Sequence, residues 1–288
     1  MTVAEAAAAA AGARVAQARR VPGGDINDAW AVELEGGGRL FVKTRADALP
    51  GEYATEAAGL AWLAGAGGVR VPEVVAIGGA FLALRWIDAG RLDGAGEEEL
   101  GRGLAAIHAA GAPGFGAPPP GAPYEGLRLG PLELPPAIAD DWPALYGEHR
   151  LAPLLRMAAG RGAIDAGGRA AVERVIDRLP ELAGPPEPPA RLHGDLWSGN
   201  VHAGADGRAW LVDPISYGGH REVDLAMLRL FGGPSRRVLD AYDEAAPLAG
   251  GHEERVELWH LFPLMVHAVL FGGGYGGSAE AAARRYVR

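Results

Sequence analysis

Two carboxylates and one amide lie close together in the segment RLHGDLWSGNVHAGADGRAWLVDP, residues 191 to 214. Asn200 follows Asp195 by five residues, and Asp213 follows Asn200 by thirteen, after the apolar run AWLV. Hard oxygen ligands of this kind hold Mg²⁺ against a triphosphate, and a separate carboxylate can accept the proton of an attacking hydroxyl. The segment therefore predicts phosphoryl transfer from a magnesium nucleotide.

A second set of residues, far earlier in the chain, has the spacing that such a nucleotide site needs. Lys43 lies in a predicted third strand, RLFVKT, and Glu56 follows it by thirteen residues in the next predicted helix. Kinases use such a strand lysine and helix glutamate to orient ATP phosphates, and their pattern H-R-D-x-x-x-x-N has the same spacing from Asp to Asn. Taken singly, each residue could be structural. Their common order along the chain favours a kinase site.

Composition and charge restrict the remaining classes of function. The chain has a net charge of −9 and no basic stripe that could bind the phosphates of a nucleic acid, so we expect no nucleic-acid partner. The absence of cysteine excludes disulfides, a thiolate metal site and a cysteine nucleophile. Lys43 is the one lysine among 27 basic residues. Because a planar guanidinium does not replace an ammonium at a phosphate, this lysine is a candidate for function, with chance survival as the alternative.

Hydrophobic periodicity divides the chain into two predicted lobes. An alanine-rich opening helix, five strands and a helix between the third and fourth strands account for residues 1–88. Residues 89–288 are predicted to be mainly helical, with helices at 97–110, 166–182, 222–231, 235–245 and 253–271. Residues 111–136 are predicted to be irregular, and a glycine loop is expected after 271. Because His260, Pro263 and His267 interrupt the uncharged stretch near the end, we expect no membrane segment. The absence of cysteine fits a reducing compartment, so we expect a cytoplasmic location. No uncapped strand edge or long apolar patch is evident from the pattern, which favours a monomer.

The longer motifs are recognisable together. HGDLWSGN (193–200), DPISYGGHREVDLAM (213–227), GGDINDAW, FVK and the closing LFPLMVHAVLFGGGY resemble the fructosamine kinase (ketosamine-3-kinase) family. This resemblance implies an α+β, bilobal, protein-kinase-like fold of the aminoglycoside-phosphotransferase branch. Its N-terminal lobe would hold a five-stranded antiparallel sheet with one helix, and its larger C-terminal lobe would be mainly α-helical. The resemblance also implies ATP and Mg²⁺ as cofactors and phosphorylation of the C3 hydroxyl of a ketosamine.

The same resemblance implies roles for individual residues. Asp195 would be the catalytic base, Asn200 and Asp213 the magnesium ligands, and Lys43 with Glu56 the pair that holds the ATP phosphates. The other nucleotide-binding residues would be Gly23 and Gly24 in a covering loop and Arg85, Trp86 and Ile87 in the hinge between the lobes. His193 and Asp224 would support the catalytic loop.

The substrate side of the site is predicted from three further residues. Trp197 is expected to stack on the sugar, because an aromatic face suits the apolar side of a pyranose or furanose; packing beneath the loop is the alternative. His220 and Arg221 are expected to line the substrate opening, with a buried ion pair as the alternative. The short connection after Asp213 favours a small molecule or an exposed glycated side chain as the substrate. Two other functions remain open: an aminoglycoside, choline or homoserine kinase of the same fold, and a nucleotide-binding regulator without catalysis.

Overall fold

The computed structural model describes residues 1–22 and 27–287, so the predicted covering glycines Gly23 and Gly24 lie outside the described residues. The N-terminal lobe is built on a five-stranded antiparallel sheet. Helix α1 (Val3–Ala10) precedes β1 (Val15–Val21), β2 (Asp28–Leu34) and β3 (Arg39–Thr44); α2 (Glu52–Ala64) then leads to β4 (Val74–Gly78) and β5 (Phe81–Arg85). The strand order β1-β2-β3-β5-β4 confirms the predicted sheet and its inserted helix.

The two helices of this lobe cover opposite faces of the sheet. On one face, Ala4 and Ala7 of α1 pack against Val32, Leu40 and Val42. On the other face, α2 packs through its own apolar residues against Leu82 and Leu84 of β5. The alanine-rich opening helix is therefore an integral part of the core of this lobe, in addition to the single helix inserted between its third and fourth strands.

The C-terminal lobe is larger and mainly helical, as predicted. It contains α3 (Gly94–Ala109), the hairpin β6 (Leu127–Leu129) and β7 (Leu132–Leu134), α4 (Trp142–Tyr146), a π-helical turn (Gly147–Leu151), α5 (Ala152–Gly160) and α6 (Ala166–Leu182). Four short strands follow: β8 (Ala190–Leu192), β9 (Val201–Ala203), β10 (Ala209–Leu211) and β11 (Tyr217–Gly219). The last helices are α7 (Glu222–Leu230), α8 (Arg236–Ala245), α9 (His252–Phe271) and α10 (Tyr275–Arg284). Strand β9 pairs with β10, and β8 pairs with β11.

Two segments of this lobe differ from the sequence prediction. The region expected to be irregular at 111–136 contains the β6–β7 hairpin, and the expected glycine loop after Phe271 is only three residues long before α10 begins. Gly276 lies inside α10, where a Cβ would overlap the carbonyl oxygen of Ala163. The glycine in this position thus permits close helix packing rather than ending the helix.

Helix α2 lies directly against the C-terminal lobe. A Cβ added at Gly59 would be 3.2 Å from Oγ of Ser216, and Arg191 donates a 2.6 Å hydrogen bond to the carbonyl oxygen of Trp62. Just beyond α2, the backbone N–H of Leu211 donates to the carbonyl oxygen of Arg70 at 2.8 Å. These contacts fix α2 against the strands that carry the catalytic segment. No helix in the described part of the chain is long and apolar enough to cross a membrane.

Candidate active site

Lys43 joins three elements at the boundary between the lobes. It extends from β3 with a side chain that is 7% exposed, and its Nζ lies 2.6 Å from Oε2 of Glu56 and 3.0 Å from Oδ1 of Asp213. Burial alone would lower the pKa of Lys43, but the charges of Asp213 and Glu56 outweigh burial and raise this pKa above its ordinary value. The ammonium is therefore held charged and in a fixed position.

Glu56 is the less exposed of the two carboxylates that contact Lys43. Its side chain is 12% exposed, and burial raises its pKa above the usual range while the charge of Lys43 opposes the shift. Oε1 of Glu56 has no hydrogen-bond partner among the described residues. The contact with Lys43 is therefore made by Oε2 alone.

Asp213 has a backbone conformation that is unusual for its residue type. Its φ of 55° makes it the only non-glycine residue with positive φ in the described ranges, and such a conformation costs on the order of 1 kcal/mol or more. Strain of this kind is commonly retained at functional sites. The side chain is 49% exposed, and Lys43 holds the pKa of Asp213 below its usual value although burial opposes that shift. The result is an ionised carboxylate that remains accessible to a cation.

Asp195 and Asn200 are held together inside the loop between β8 and β9. Nδ2 of Asn200 donates hydrogen bonds to the backbone oxygen of Asp195 at 2.8 Å and to its Oδ2 at 3.1 Å. Burial raises the pKa of Asp195 to about 7, although the hydrogen bond from Asn200 opposes the shift. A carboxylate with a pKa close to neutral is well suited to accept a proton from a hydroxyl group.

The donor set fits a magnesium ion. Because both amide hydrogens of Asn200 face Asp195, its Oδ1 is turned elsewhere and accepts no hydrogen bond from any described side chain or backbone group. An amide oxygen and the ionised carboxylate of Asp213 are hard ligands that Mg²⁺ accepts, and Mg²⁺ usually takes only one or two protein carboxylates together with water and phosphate oxygens. Asn200 and Asp213 are thus suitable ligands for this ion.

The catalytic loop is held from behind by α7. The carboxylate of Asp224 accepts the backbone N–H groups of His193 at 2.7 Å and Gly194 at 2.9 Å, and its Oδ2 lies 3.3 Å from Nε2 of His108. His193 is fully buried, with Nε2 2.9 Å from the carbonyl oxygen of Val212, and burial lowers its pKa despite the charge of Asp224. Asp224 and His193 therefore both contact the backbone on either side of the Asp195 loop, and their supporting role stays a prediction.

The predicted hinge residues connect the lobes. Trp86 and Ile87 follow the end of β5, and the backbone N–H of Trp86 donates to the carbonyl oxygen of Arg39 at 3.1 Å. The side chain of Arg85 points to Glu73, with Nε 3.1 Å from Oε2.

A cavity of about 840 Å³ lies beside the hinge. It is lined by one face of α2, by β4 and by the β9–β10 turn, but none of Lys43, Asp195 and Asp213 lines it.

The structure places His220 and Arg221 away from this cluster. His220 is 3% exposed and its ring stacks on Trp259 at 5.5 Å between centroids, while Arg221 donates bonds of 2.7 and 2.8 Å to the carboxylate of Glu187. Their expected position at the substrate opening is thus corrected: His220 is a buried core residue, and Arg221 forms a partly buried ion pair with Glu187, whose side chains are 16% and 17% exposed. The reason is that the contacts of both residues lie elsewhere: His220 packs on Trp259 of α9, and Arg221 also donates to the carbonyl oxygens of Ala246 and Pro247.

Trp197 lies on the surface and not beneath the loop. Its side chain is 38% exposed, it folds over Gly199, and it meets Phe231 edge to face at 6.1 Å. The sequence predicted no role for Phe231 or for its aromatic neighbours His267, Phe271 and Tyr275. The motif LFPLMVHAVLFGGGY contains the three neighbours, but Phe231 lies about thirty residues earlier in the chain, so the sequence does not show that these rings pack together.

Comparison with known proteins shows which family the chain resembles. The family model described as fructosamine kinase matches residues 1–288. A "probable ketoamine kinase" from Thermus thermophilus is 38% identical over 256 residues, and the match covers 89% of this chain and 88% of that protein. The chloroplastic protein-ribulosamine 3-kinase of Arabidopsis thaliana is 32% identical, and the match covers 93% of this chain and 82% of that protein. A crystal structure from Thermobifida fusca whose name includes fructosamine-3-kinase has a TM-score of 0.91 at 43% identity, covering 100% of this chain and 99% of that one.

Fold and site together define an ATP-dependent phosphotransferase with the bilobal protein-kinase-like fold. Within that class, the chain belongs to the fructosamine kinase family. Both the fold and the family predicted from the sequence motifs are confirmed.

Proposed function

We propose that this protein transfers the γ-phosphoryl group of ATP to the C3 hydroxyl of a ketosamine, the product of sugar addition to an amine. The observation that carries the proposal is the single cluster in which Lys43 contacts both Glu56 and Asp213, while Asn200 orients the nearby Asp195. The names of the relatives, ketoamine kinase and protein-ribulosamine 3-kinase, support the choice of acceptor.

Each charged group has a distinct role in this proposal. Asp195 accepts the proton of the attacking hydroxyl, and Lys43 binds phosphate oxygens while Glu56 keeps it in place. Asn200 and Asp213 would hold Mg²⁺, which when bound supplies positive charge to the phosphates. The backbone at Arg85, Trp86 and Ile87 binds adenine, and Gly23 with Gly24 covers the phosphates. The nucleotide thus lies between residues 1–88 and residues 89–288.

The acceptor side is proposed around Trp197, which stacks on the sugar. Only eight residues separate Asp213 from the start of α7, which leaves no long segment for docking a protein chain. We therefore propose a free ketosamine or a glycated side chain exposed on a protein surface as substrate. The proposal describes a monomeric cytoplasmic enzyme without a nucleic-acid partner, and the acidic net charge supports the last point.

The test is ADP release with MgATP and a panel of fructosyl-lysine, ribulosyl-lysine, kanamycin and choline, followed by phosphorus NMR of the product. We expect a phosphate ester on the sugar carbon next to the ketone. Asp195→Asn should lower kcat by about 10²–10⁴-fold, the size of a general-base contribution. Turnover with kanamycin or choline alone would reject the ketosamine proposal. ATP binding without any turnover would identify a regulator instead.

A further inference from the structure

Five aromatic rings form a continuous surface that begins at the catalytic loop. This aromatic wall consists of Trp197, Phe231, His267, Phe271 and Tyr275. Ring centroids are 6.1 Å apart between Trp197 and Phe231, and 5.4 Å apart between Phe231 and His267. His267 in turn lies 5.5 Å from Phe271 and 5.0 Å from Tyr275. These spacings are those of rings in contact, so the wall is one surface and not a set of scattered side chains.

The wall is open to solvent. Trp197 is 38% exposed, Phe231 is 39% exposed and Phe271 is 54% exposed. They make up half of the six large apolar side chains that are exposed in residues 1–22 and 27–287. Single exposed apolar residues are ordinary, but a contiguous group of them usually marks a binding surface.

The position of the wall relates it to the phosphate acceptor. Trp197 follows Asp195 by two residues, and its backbone N–H donates to the backbone oxygen of Asp195 at 3.0 Å. From there the wall passes to Phe231 at the end of α7, then to His267 and Phe271 in the last turns of α9, and to Tyr275 at the start of α10. It therefore leads from the proposed base outward to the surface of the C-terminal lobe.

We infer that the outer wall, Phe231, His267, Phe271 and Tyr275, binds the group carried on the amine nitrogen of the ketosamine and selects apolar or aromatic substituents there. This inference rests on the proposed function. With the C3 hydroxyl at Asp195 and the sugar on Trp197, the amine nitrogen lies three bonds beyond C3, and its substituent lies further from the base. The next surface along the wall is Phe231 and His267, followed by Phe271 and Tyr275.

The chemistry of the aromatic wall suits both the amine nitrogen of the ketosamine and the group that this nitrogen carries. A ketosamine nitrogen is a secondary amine that carries a positive charge when protonated, and aromatic faces attract cations. Nδ1 of His267 lies 2.7 Å from the carbonyl oxygen of Pro263, which assigns the proton of a neutral ring to Nδ1 and leaves Nε2 as an acceptor for an ammonium N–H. Beyond the nitrogen, the exposed faces of Phe271 and Tyr275 offer apolar contact.

The test compares two ketosamines with the same sugar, fructosyl-glycine and fructosyl-phenylalanine, by their kcat/KM values. The wild-type enzyme should favour the phenylalanine derivative roughly fivefold, which is the size expected of one aromatic contact. Phe271 is the outermost and most exposed ring, so Phe271→Ala should bring this ratio close to one through KM, and Phe271→Tyr should restore it. Ile138→Ala removes an apolar side chain that is 64% exposed outside the wall, and it should leave the ratio unchanged.

The outcomes separate this inference from the proposed function. Equal kcat/KM values for the two ketosamines in the wild-type enzyme would overturn the inference while leaving ketosamine kinase activity established. A preference that survives Phe271→Ala would also overturn it, because the selectivity would then lie elsewhere. Failure to phosphorylate the two fructosyl compounds and also the ribulosyl-lysine of the first panel would reject the proposed function and the inference together.

Discussion

The ammonium of Lys43 contacts carboxylates from two elements, Glu56 of α2 and Asp213 beyond β10. A compact charge with three hydrogens can reach both carboxylates and still turn toward a phosphate, whereas a guanidinium is wider and planar. Because the side chain at this position is only 7% exposed, the surrounding structure leaves little room for the wider guanidinium. The residue type therefore follows from the geometry of the site.

We predict that Lys43→Arg lowers kcat/KM for ATP by about 100-fold or more, because displacement of the charge from the phosphates removes transition-state stabilisation. Steady-state ADP release measures the effect. The control is the reverse exchange at a surface position, Arg14→Lys, where the side chain is 85% exposed and activity should stay within about twofold. A fully active Lys43→Arg variant would assign the single lysine to chance.

Asp195 has a consequence for stability as well as for catalysis. Burial raises its pKa to about 7, so the folded protein binds a proton more tightly at this carboxylate than the unfolded chain does. This stabilisation is fully present below the ordinary pKa of an aspartate, and it is lost as the pH rises through about 7. At pH 8 the ionised carboxylate therefore opposes folding in the metal-free protein.

We predict that Asp195→Asn raises the Tm of the metal-free protein by a few degrees at pH 8, and by less at pH 5, where the wild-type carboxyl group is already protonated. Thermal unfolding at the two pH values measures the difference. Asp240→Asn, at a side chain that is 66% exposed, should change Tm by less than about one degree. A variant less stable than wild type at pH 8 would show that the carboxylate is not destabilising.

At the scale of elements, α1 determines how the outer face of the sheet is covered. Ala7 and Ala8 are fully buried, whereas Ala9 is exposed, so a run of identical residues has an inner and an outer side. The helix begins with a capping box in which Thr2 and Glu5 satisfy each other's backbone N–H groups. Its small side chains allow the helix to approach β3 and β5 closely.

We predict that Ala7→Asp lowers the free energy of unfolding by about 3 kcal/mol or more, because it places a charge in the apolar contact with the sheet. Ala9→Asp introduces the same residue two positions later on the exposed side and should cost less than about 1 kcal/mol. Urea denaturation of both variants gives the comparison. Equal losses would mean that α1 does not pack on the sheet in solution.

The sequence predicted those pairs of the site whose members lie near one another in the chain. Asp195 and Asn200 share one loop, and Lys43 and Glu56 lie on a strand and on the helix that follows it, so their spacing matched the kinase pattern. His220 was misplaced because sequence proximity to Asp213 does not show which way a side chain points. Phe231 and Phe271 were missed because both contact His267, and Phe231 reaches that ring only after α7 and α9 have packed together.

Elements also differed from prediction where packing overrides local propensity. Residues 142–160 form α4, a π-helical turn and α5, which the sequence interpretation did not include. Trp142 and Tyr146 are 3% and 1% exposed, so tertiary contacts, rather than a long periodic pattern, stabilise these short helices. Predictions from periodicity were most accurate for the longer helix α6, whose bounds match the predicted 166–182.

At the scale of the whole molecule, the orientation of the lobes depends on the contact of α2 with the C-terminal lobe. A Cβ at Gly59 would lie 3.2 Å from Oγ of Ser216 and 3.5 Å from Cγ of Pro214, the residue directly after Asp213. Helix α2 carries Glu56, so any displacement at Gly59 changes the positions of Glu56 and Asp213 relative to Lys43. One close contact therefore couples the lobe boundary to the charged cluster.

We predict that Gly59→Leu lowers kcat by about 100-fold in a protein that remains folded, because a shift of about 1 Å at reacting groups has effects of that size. The matched control is Gly277→Leu in α10, where no neighbouring atom lies within 4 Å of the added Cβ. That variant should keep its activity and gain slightly in helix stability. Full activity of the Gly59→Leu protein would show that α2 is not held against Ser216.

The single lysine has a further consequence for the lifetime of the protein among reducing sugars. Sugars react with unprotonated, accessible amines, and Lys43 is the only ε-amine in the chain, 7% exposed and kept protonated by two carboxylates. Ketosamines, the proposed substrates, form when aldoses react with amines. The protein's own lysine side chain is chemically shielded from the damage that its proposed substrates represent.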